Sequence, residues 1–229
     1  PSEVTDYHAI SKGCMQKAVI ADLRLNGCSE SLDLSSEFSE FIDSSFRNSD
    51  YTLDGSDGGH LYSFSDILKF EGAGKFVSVI RGDDKQLQDY LCAKDLLGVA
   101  IDYLGIVSYC SGRFTLISYE DASTDSLDDH VTGWHYDLDG HNFLKFFAYF
   151  DPGLGNNSGD HLILQGSHIK RRCLDFFLRR RLSINGERSK HVKRVKFEGN
   201  TGFFEDTACY HRASGGSGIR GLAAFHYIN

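Results

Sequence analysis

The chain has 229 residues and a mass of 25.6 kDa, too long for a disulfide-stapled mini-protein and short for two full domains. Hydrophobic residues make up 41%, with 17 Phe and 11 Tyr, which supplies enough apolar surface for a core and excludes a disordered chain. The net charge of −8 argues against indiscriminate binding of polyanions, so nucleic acid is not the expected partner.

One domain over 1–229 is therefore expected. No apolar run is long enough for a membrane span: Asp102 interrupts the stretch around Leu96 to Val107, and Lys145 interrupts Phe143 to Phe150. The first thirty residues carry charges throughout and do not read as a secretory leader. Six cysteines are scattered with no C-x-x-C pair, so they read as reduced thiols of a cytoplasmic protein and give no Cys-based zinc site.

In chain order, 1–104 reads as mixed and mostly helical. Leu32, Leu34, Phe38, Phe41, Ile42 and Phe46 recur at roughly helical spacing and predict a helix over Ser29 to Phe46. Leu87, Tyr90, Leu91, Leu96, Leu97, Ala100 and Ile101 predict another over Asp84 to Leu104. From 105 onward, short runs rich in Phe, Tyr, Ile, Leu and Val alternate with Gly, Asn, Asp and Ser. Strands are predicted at 105–110, 113–119, 131–137, 143–150, 161–164, 193–197, 201–205 and 219–228, a spacing that suits a β-sandwich or barrel. Ser167 to Leu182 is the exception: Ile169, Cys173, Phe176, Phe177 and Leu182 fit a helix inserted into the β-core. The basic insert spans 167–196. From Lys170 to Lys196 there are eleven basic residues and two acids, a local net of +9, which leaves −17 for the rest of the chain. The insert reads either as a solvated face balancing an acidic body or as a lid that receives an anionic group.

His135-Tyr136-Asp137 is the only H-x-D in the chain. It closes a predicted strand, and residues i and i+2 of a strand face one side, so both side chains can reach one ion. A third ligand has to come from a distant strand, and His211, after the run Thr201 to Tyr210, is the candidate. Two imidazoles and a carboxylate leave three coordination positions open, which suits a non-haem Fe(II) centre that takes a co-substrate and O2. Arg220 opens the last predicted strand, nine residues after His211. Its guanidinium can bind a carboxylate through two parallel hydrogen bonds, as a dicarboxylic oxo-acid needs at its far end.

These pieces have an order. Trp134-His135-Tyr136-Asp137 is followed by Phe143 to Asp151, Gly159-Asp160-His161, Gly166-Ser167-His168, Gly199 to Thr207, His211-Arg212 and Arg220. Over about 105–228 the order resembles the phytanoyl-CoA dioxygenase-like branch of the Fe(II)/2-oxoglutarate-dependent oxygenases. The resemblance implies a mainly β fold with flanking helices around a double-stranded β-helix (jelly-roll or cupin-like) core. It implies that His135, Asp137 and His211 hold Fe(II), that Arg220 binds the distal carboxylate of 2-oxoglutarate, and that O2 is the oxidant. Relatives that halogenate replace the carboxylate with a small residue; Asp137 keeps it, which argues for oxygenation, as in a hydroxylase. The implied substrate is a small molecule, with anionic and carrier-bound compounds among the options.

Strand alternation adds further positions. Lys145, Phe147 and Tyr149 share one face; the family places a co-substrate-contacting aromatic about where Phe147 falls, and Lys145 beside it offers a second cation. Tyr119 offers a hydroxyl, and Thr207 shares strand parity with His211. For Tyr119, Phe147 and Thr207 core packing is an equal reading, and a strand Lys often reaches out to solvent. His168 reads as structural, His130, His141 and His161 have no ligand spacing, and Cys209 reads as a small buried filler. Two other classes remain: a jelly-roll metal-dependent isomerase or hydrolase, and a non-catalytic module that holds an anion or RNA on the basic insert.

Overall fold

In a computed structural model of the chain, the described residues are 7–11, 16–55, 59–70, 74–79, 85–119, 133–137, 139–140, 142–152, 159–169, 190–214 and 218–229. They form five helices, α1 (Gln16–Asn26), α2 (Ser36–Asn48), α3 (Phe64–Ile67), α4 (Lys85–Leu91) and α5 (Lys94–Leu104). Ten strands accompany them: β1 (Leu32–Asp33), β2 (Tyr51–Leu53), β3 (Gly74–Ser78), β4 (Tyr109–Tyr119), β5 (Phe143–Phe150), β6 (His161–Leu164), β7 (Val192–Val195), β8 (Thr201–Glu205), β9 (His211–Ala213) and β10 (Gly218–Ile228). No helix among the described residues is long and apolar enough to cross a membrane.

Every residue of β5 is buried, because the strand is covered on both faces. Leu144, Phe146, Ala148 and Phe150 point toward the helices and join the main core. Phe147 and Tyr149 point the other way, into a second cluster with Phe203, Ile163 and Val195. The strand is thus the wall between a helix-packed layer and a layer enclosed by two sheets. The larger sheet has the order β1-β8-β5-β10-β4-β3-β2 and the smaller β7-β6-β9, with antiparallel pairing throughout. These facing antiparallel sheets make a jelly-roll core, as expected.

The helices cover one face of the large sheet. Ser35 caps α2 by accepting a hydrogen bond from the Phe38 amide, and Phe38, Phe41, Ile42 and Phe46 form its buried stripe. Phe46 stacks on Phe150 at 4.5 Å between centroids, while Phe38 meets Phe225 at 5.4 Å. On α5, Leu96, Leu97, Val99, Ala100 and Leu104 are buried.

The helix expected from Ser29 begins only at Ser36, because the Ser35 cap starts it there and Leu32 pairs with Gly202 at the sheet edge. The apolar residues at 32 and 34 belong to a sheet margin, not to a helical stripe. The helix expected over 84–104 is two: Ala93 has extended backbone (ψ 135°), and Asp95 then accepts the amides of Ala9 and Ile10, docking the N-terminal segment there. The two strands expected at 105–110 and 113–119 are one, β4, paired along its whole length with β10. Residues 1–104, expected to be mostly helical, also supply three strands of the large sheet. Among these, β1 and β2 are too short to show a period of two in the sequence. Most of the expected insert helix, 170–182, lies outside the described residues, as do 131–132, His130 and His141.

Candidate metal centre

The centre is assembled by one backbone exchange. His135 and His211 form an isolated antiparallel bridge in which the His135 amide donates to the His211 carbonyl (3.0 Å) and the His211 amide donates to the His135 carbonyl (2.7 Å). The Asp137 amide donates to the Thr207 carbonyl at 2.8 Å. The segment carrying the H-x-D thus lies on β9 and the turn before it, and β9 is itself held by β6 through Ile163↔His211.

These bonds bring one donor atom each from His135, Asp137 and His211 within 4.8 Å of one another. Asp137 Oδ2 is 3.9 Å from His211 Nε2, and the two imidazole centroids are 4.4 Å apart. In each ring the other nitrogen is occupied. Nδ1 of His135 lies 2.8 Å from the Gly133 carbonyl and Nδ1 of His211 3.1 Å from the Cys209 carbonyl. A carbonyl only accepts, so both Nδ1 atoms carry the proton and both Nε2 lone pairs are left for an ion.

The electrostatics agree with that role. Burial lowers His211 to about 4, so it is a neutral ligand at pH 7. Burial works to raise Asp137, but the charges of His211 and Lys145 outweigh it and hold the carboxyl well below the usual range. The donor set and its protonation states fit a divalent cation.

Arg220 is 1% exposed, the largest of the fully buried side chains. Its Nη2 donates to the Tyr149 hydroxyl at 3.4 Å, and its guanidinium lies over the rings of Tyr149 (5.2 Å) and Phe197 (5.7 Å). Phe147 is in the same inter-sheet cluster as Tyr149 and stands 5.5 Å from the His161 ring. The Lys145 ammonium is 2.6 Å from Asp137 Oδ2 and 2.5 Å from Asp139 Oδ2. Tyr119 ends β4, and its side chain lies outside the described residues.

Thr207 is fully buried, but strand parity does not place it there. β8 stops at Glu205, and Thr207 sits in a turn whose carbonyl holds the Asp137 amide. Its hydroxyl has no hydrogen bond among the described residues. Cys209 is also in this turn, with Sγ 3.2 Å from His168 Nδ1, as a buried filler. Asp206 fixes the turn from several sides, accepting from Tyr103 (2.9 Å) and the Ala208 amide (3.0 Å).

Two further buried groups lie beside the centre, His161, read from the sequence only as lacking a ligand spacing, and Glu205. Glu205 is fully buried, with Oε2 2.9 Å from His161 Nε2 and Oε1 3.4 Å from His211 Nδ1. Burial raises its carboxyl to about 7. His161 stacks on His211 (5.4 Å, 17°) and is kept neutral by burial and by the charge of Arg220. Neither residue has a ligand spacing in the chain. Only the register, which sets Glu205 opposite Lys145, reveals them. Of the basic insert, Lys193 pairs with Glu30 (2.6 Å) and Arg194 with Asp160 (3.0 Å); Arg171, Arg172, Arg179, Arg180, Arg181 and Arg188 lie outside the described residues.

The chain resembles the solved structure of EvdO2 from Micromonospora carbonacea var. aurantiaca complexed with 2-oxoglutarate, at 12% identity and a TM-score of 0.58, covering 96% of this chain and 93% of that one. HygX from Streptomyces hygroscopicus with nickel and 2-oxoglutarate bound gives 15% identity and 0.58, over 94% and 87%. A Pseudomonas putida prolyl-4-hydroxylase gives 13% and 0.56, over 93% and 98%. The chain has the double-stranded β-helix fold of these enzymes. No protein-family model matches it, and no curated protein matches it by sequence.

Proposed function

We propose that the protein is an Fe(II)- and 2-oxoglutarate-dependent oxygenase that hydroxylates an unactivated C–H bond of a small molecule. The observation that carries this reading is the convergence of His135, Asp137 and His211 donors within 4.8 Å inside a jelly roll that also buries Arg220. A guanidinium buried this completely between the sheets suits an anionic ligand.

His135, Asp137 and His211 would hold the iron, which when bound supplies the oxidising power for C–H cleavage at the positions the three ligands leave open. The chain's own part is binding, orientation and exclusion of water. Arg220 holds the distal carboxylate of 2-oxoglutarate, with Tyr149 and Phe197 fixing the guanidinium plane. Phe147, Phe203 and Tyr149 make the inter-sheet cluster around Arg220 apolar, which strengthens that ion pair and shields the reacting centre. Gly133 and Cys209 carbonyls keep each ligand imidazole in one tautomer, so neither reorganises when the ion arrives. HygX has been solved with hygromycin B, and by that likeness a small-molecule substrate is proposed here. An intracellular setting suits four buried or half-buried cysteines that are free thiols.

Titration of 2-oxoglutarate into anaerobic protein loaded with Fe(II) tests the reading. A weak visible charge-transfer band is expected, lost in Arg220→Ala and in His211→Ala, with succinate released under O2. Iron binding without the band or any affinity for 2-oxoglutarate would transfer the site to a metal-dependent isomerase or hydrolase. Absence of metal binding would remove the enzyme reading altogether.

A further inference from the structure

The motif holds one carboxylate more than the centre uses. Asp139 follows Asp137 by two residues. An acid so placed competes for the same ion, and a fourth protein ligand would occupy a position that a chelating co-substrate or O2 requires. The structure contains a device that restrains it. The Lys145 ammonium contacts Oδ2 of Asp137 at 2.6 Å and Oδ2 of Asp139 at 2.5 Å, so the two oxygens, held by one nitrogen, lie within about 5 Å of each other. Rotation about a side-chain bond spans such a gap.

Lys145 is built for this position. It is 6% exposed, where a strand lysine ordinarily extends to water. It projects from the middle of β5, directly opposite Glu205 on β8 and His226 on β10. His226 adds a second restraint on Asp139, with Nδ1 3.6 Å from the same Oδ2. An ammonium that only neutralised Asp137 would need a single carboxylate. This one bridges two, which its compact, three-donor geometry permits.

We propose that Lys145 is a positioning residue: by holding Asp139 beside Asp137 it keeps Asp139 off the metal, so that the coordination positions for co-substrate and O2 stay open. The inference rests on the metal-centre reading above. Without the ammonium, two carboxylates would face one another, and their repulsion is relieved when both bind a shared dication. Loss of Lys145 should therefore strengthen metal binding while weakening co-substrate binding, a combination that simple damage to the site does not produce.

The test uses Co(II) under anaerobic conditions with wild type, Lys145→Met, Asp139→Ala and the double variant. Calorimetry gives Co(II) and 2-oxoglutarate affinities, and the visible d–d spectrum reports coordination. Lys145→Met should bind Co(II) about tenfold tighter or more and 2-oxoglutarate about tenfold weaker or more, with a changed spectrum. The double variant should return all three readouts toward wild type. Asp139→Ala alone should bind Co(II) like wild type, a result that can be read even if Lys145→Met fails to fold. Lys145→Met affinities equal to wild type, or defects that persist in the double variant, would overturn the inference, as would a tenfold loss of Co(II) affinity in Asp139→Ala. Failure of wild type to bind Co(II) would instead remove the underlying metal reading.

Discussion

Glu205→Gln should stabilise the metal-free protein at alkaline pH and remove part of its pH dependence. Burial raises the Glu205 carboxyl from 4.5 to about 7, so the folded chain retains a proton that the unfolded chain has released. A folded pKa above the unfolded one gives a contribution that is fully present below about 4.5 and lost as pH rises through about 7. At 1.36 kcal/mol per pKa unit, the loss reaches roughly 3 kcal/mol by pH 8. The amide has nearly the same shape, cannot ionise, and can still face His161 Nε2 and His211 Nδ1. His211 and His161, lowered by burial, add stability of their own as pH rises through about 6.5, but both proteins carry them, so the difference between variant and wild type reports Glu205. Urea unfolding of chelator-treated wild type and variant at about pH 5 and about pH 8 measures the effect. The variant's advantage should be larger at pH 8 by roughly 3 kcal/mol, and an equal difference at both values would refute the argument.

Arg220→Leu should raise the Kd for 2-oxoglutarate about 100-fold by removing a bidentate partner from a buried site, and calorimetry on the Fe(II)-loaded protein would detect it. A change under about threefold would detach Arg220 from the co-substrate. Gly202→Ala should destabilise by about 2 kcal/mol or more, because a Cβ there would stand 2.5 Å from Phe146 Cζ and 2.6 Å from the Phe147 carbonyl. Thermal unfolding checks it, and an unchanged midpoint would mean that the β5–β8 approach can relax. Tyr103→Phe removes the 2.9 Å hydrogen bond to Asp206 and should cost about 1 kcal/mol in urea unfolding, with no change in the denaturant slope.

The strands nearest the site were the most legible part of the fold. β5, β6 and β8 follow from compact runs of Phe, Tyr, Leu and Ile between turn residues, and the structure places them with the same bounds. The three side chains that converge were legible because H-x-D is a local pattern and its partner, His211, comes just after a strand run. What escaped detection was set by partners distant in sequence. The helix over 84–104 breaks where Asp95 receives the backbone of Ala9 and Ile10, a contact that no local period records. β1 is a strand only because Gly202 lies beside Leu32. Lys145 was readable as inward-facing, but its contacts with Asp137 and Asp139 depend on how the 133–137 segment pairs with β9. Glu205 offered no signal, since a lone glutamate at a strand end is ordinary until a register sets it beside two histidines.

The central place of β10 also shapes how the molecule comes into being. It lies between β5 and β4, pairing Leu222 with Thr115 and Gly218 with Tyr119, partners about a hundred residues earlier. Synthesis delivers this strand after both of its neighbours. Until it arrives, β4 and β5 each present an unpaired edge, and the side that carries Arg220 does not exist. The sheet therefore closes in one late step across large loops, which predicts slow, topology-limited folding and a nascent chain in need of protection while it waits.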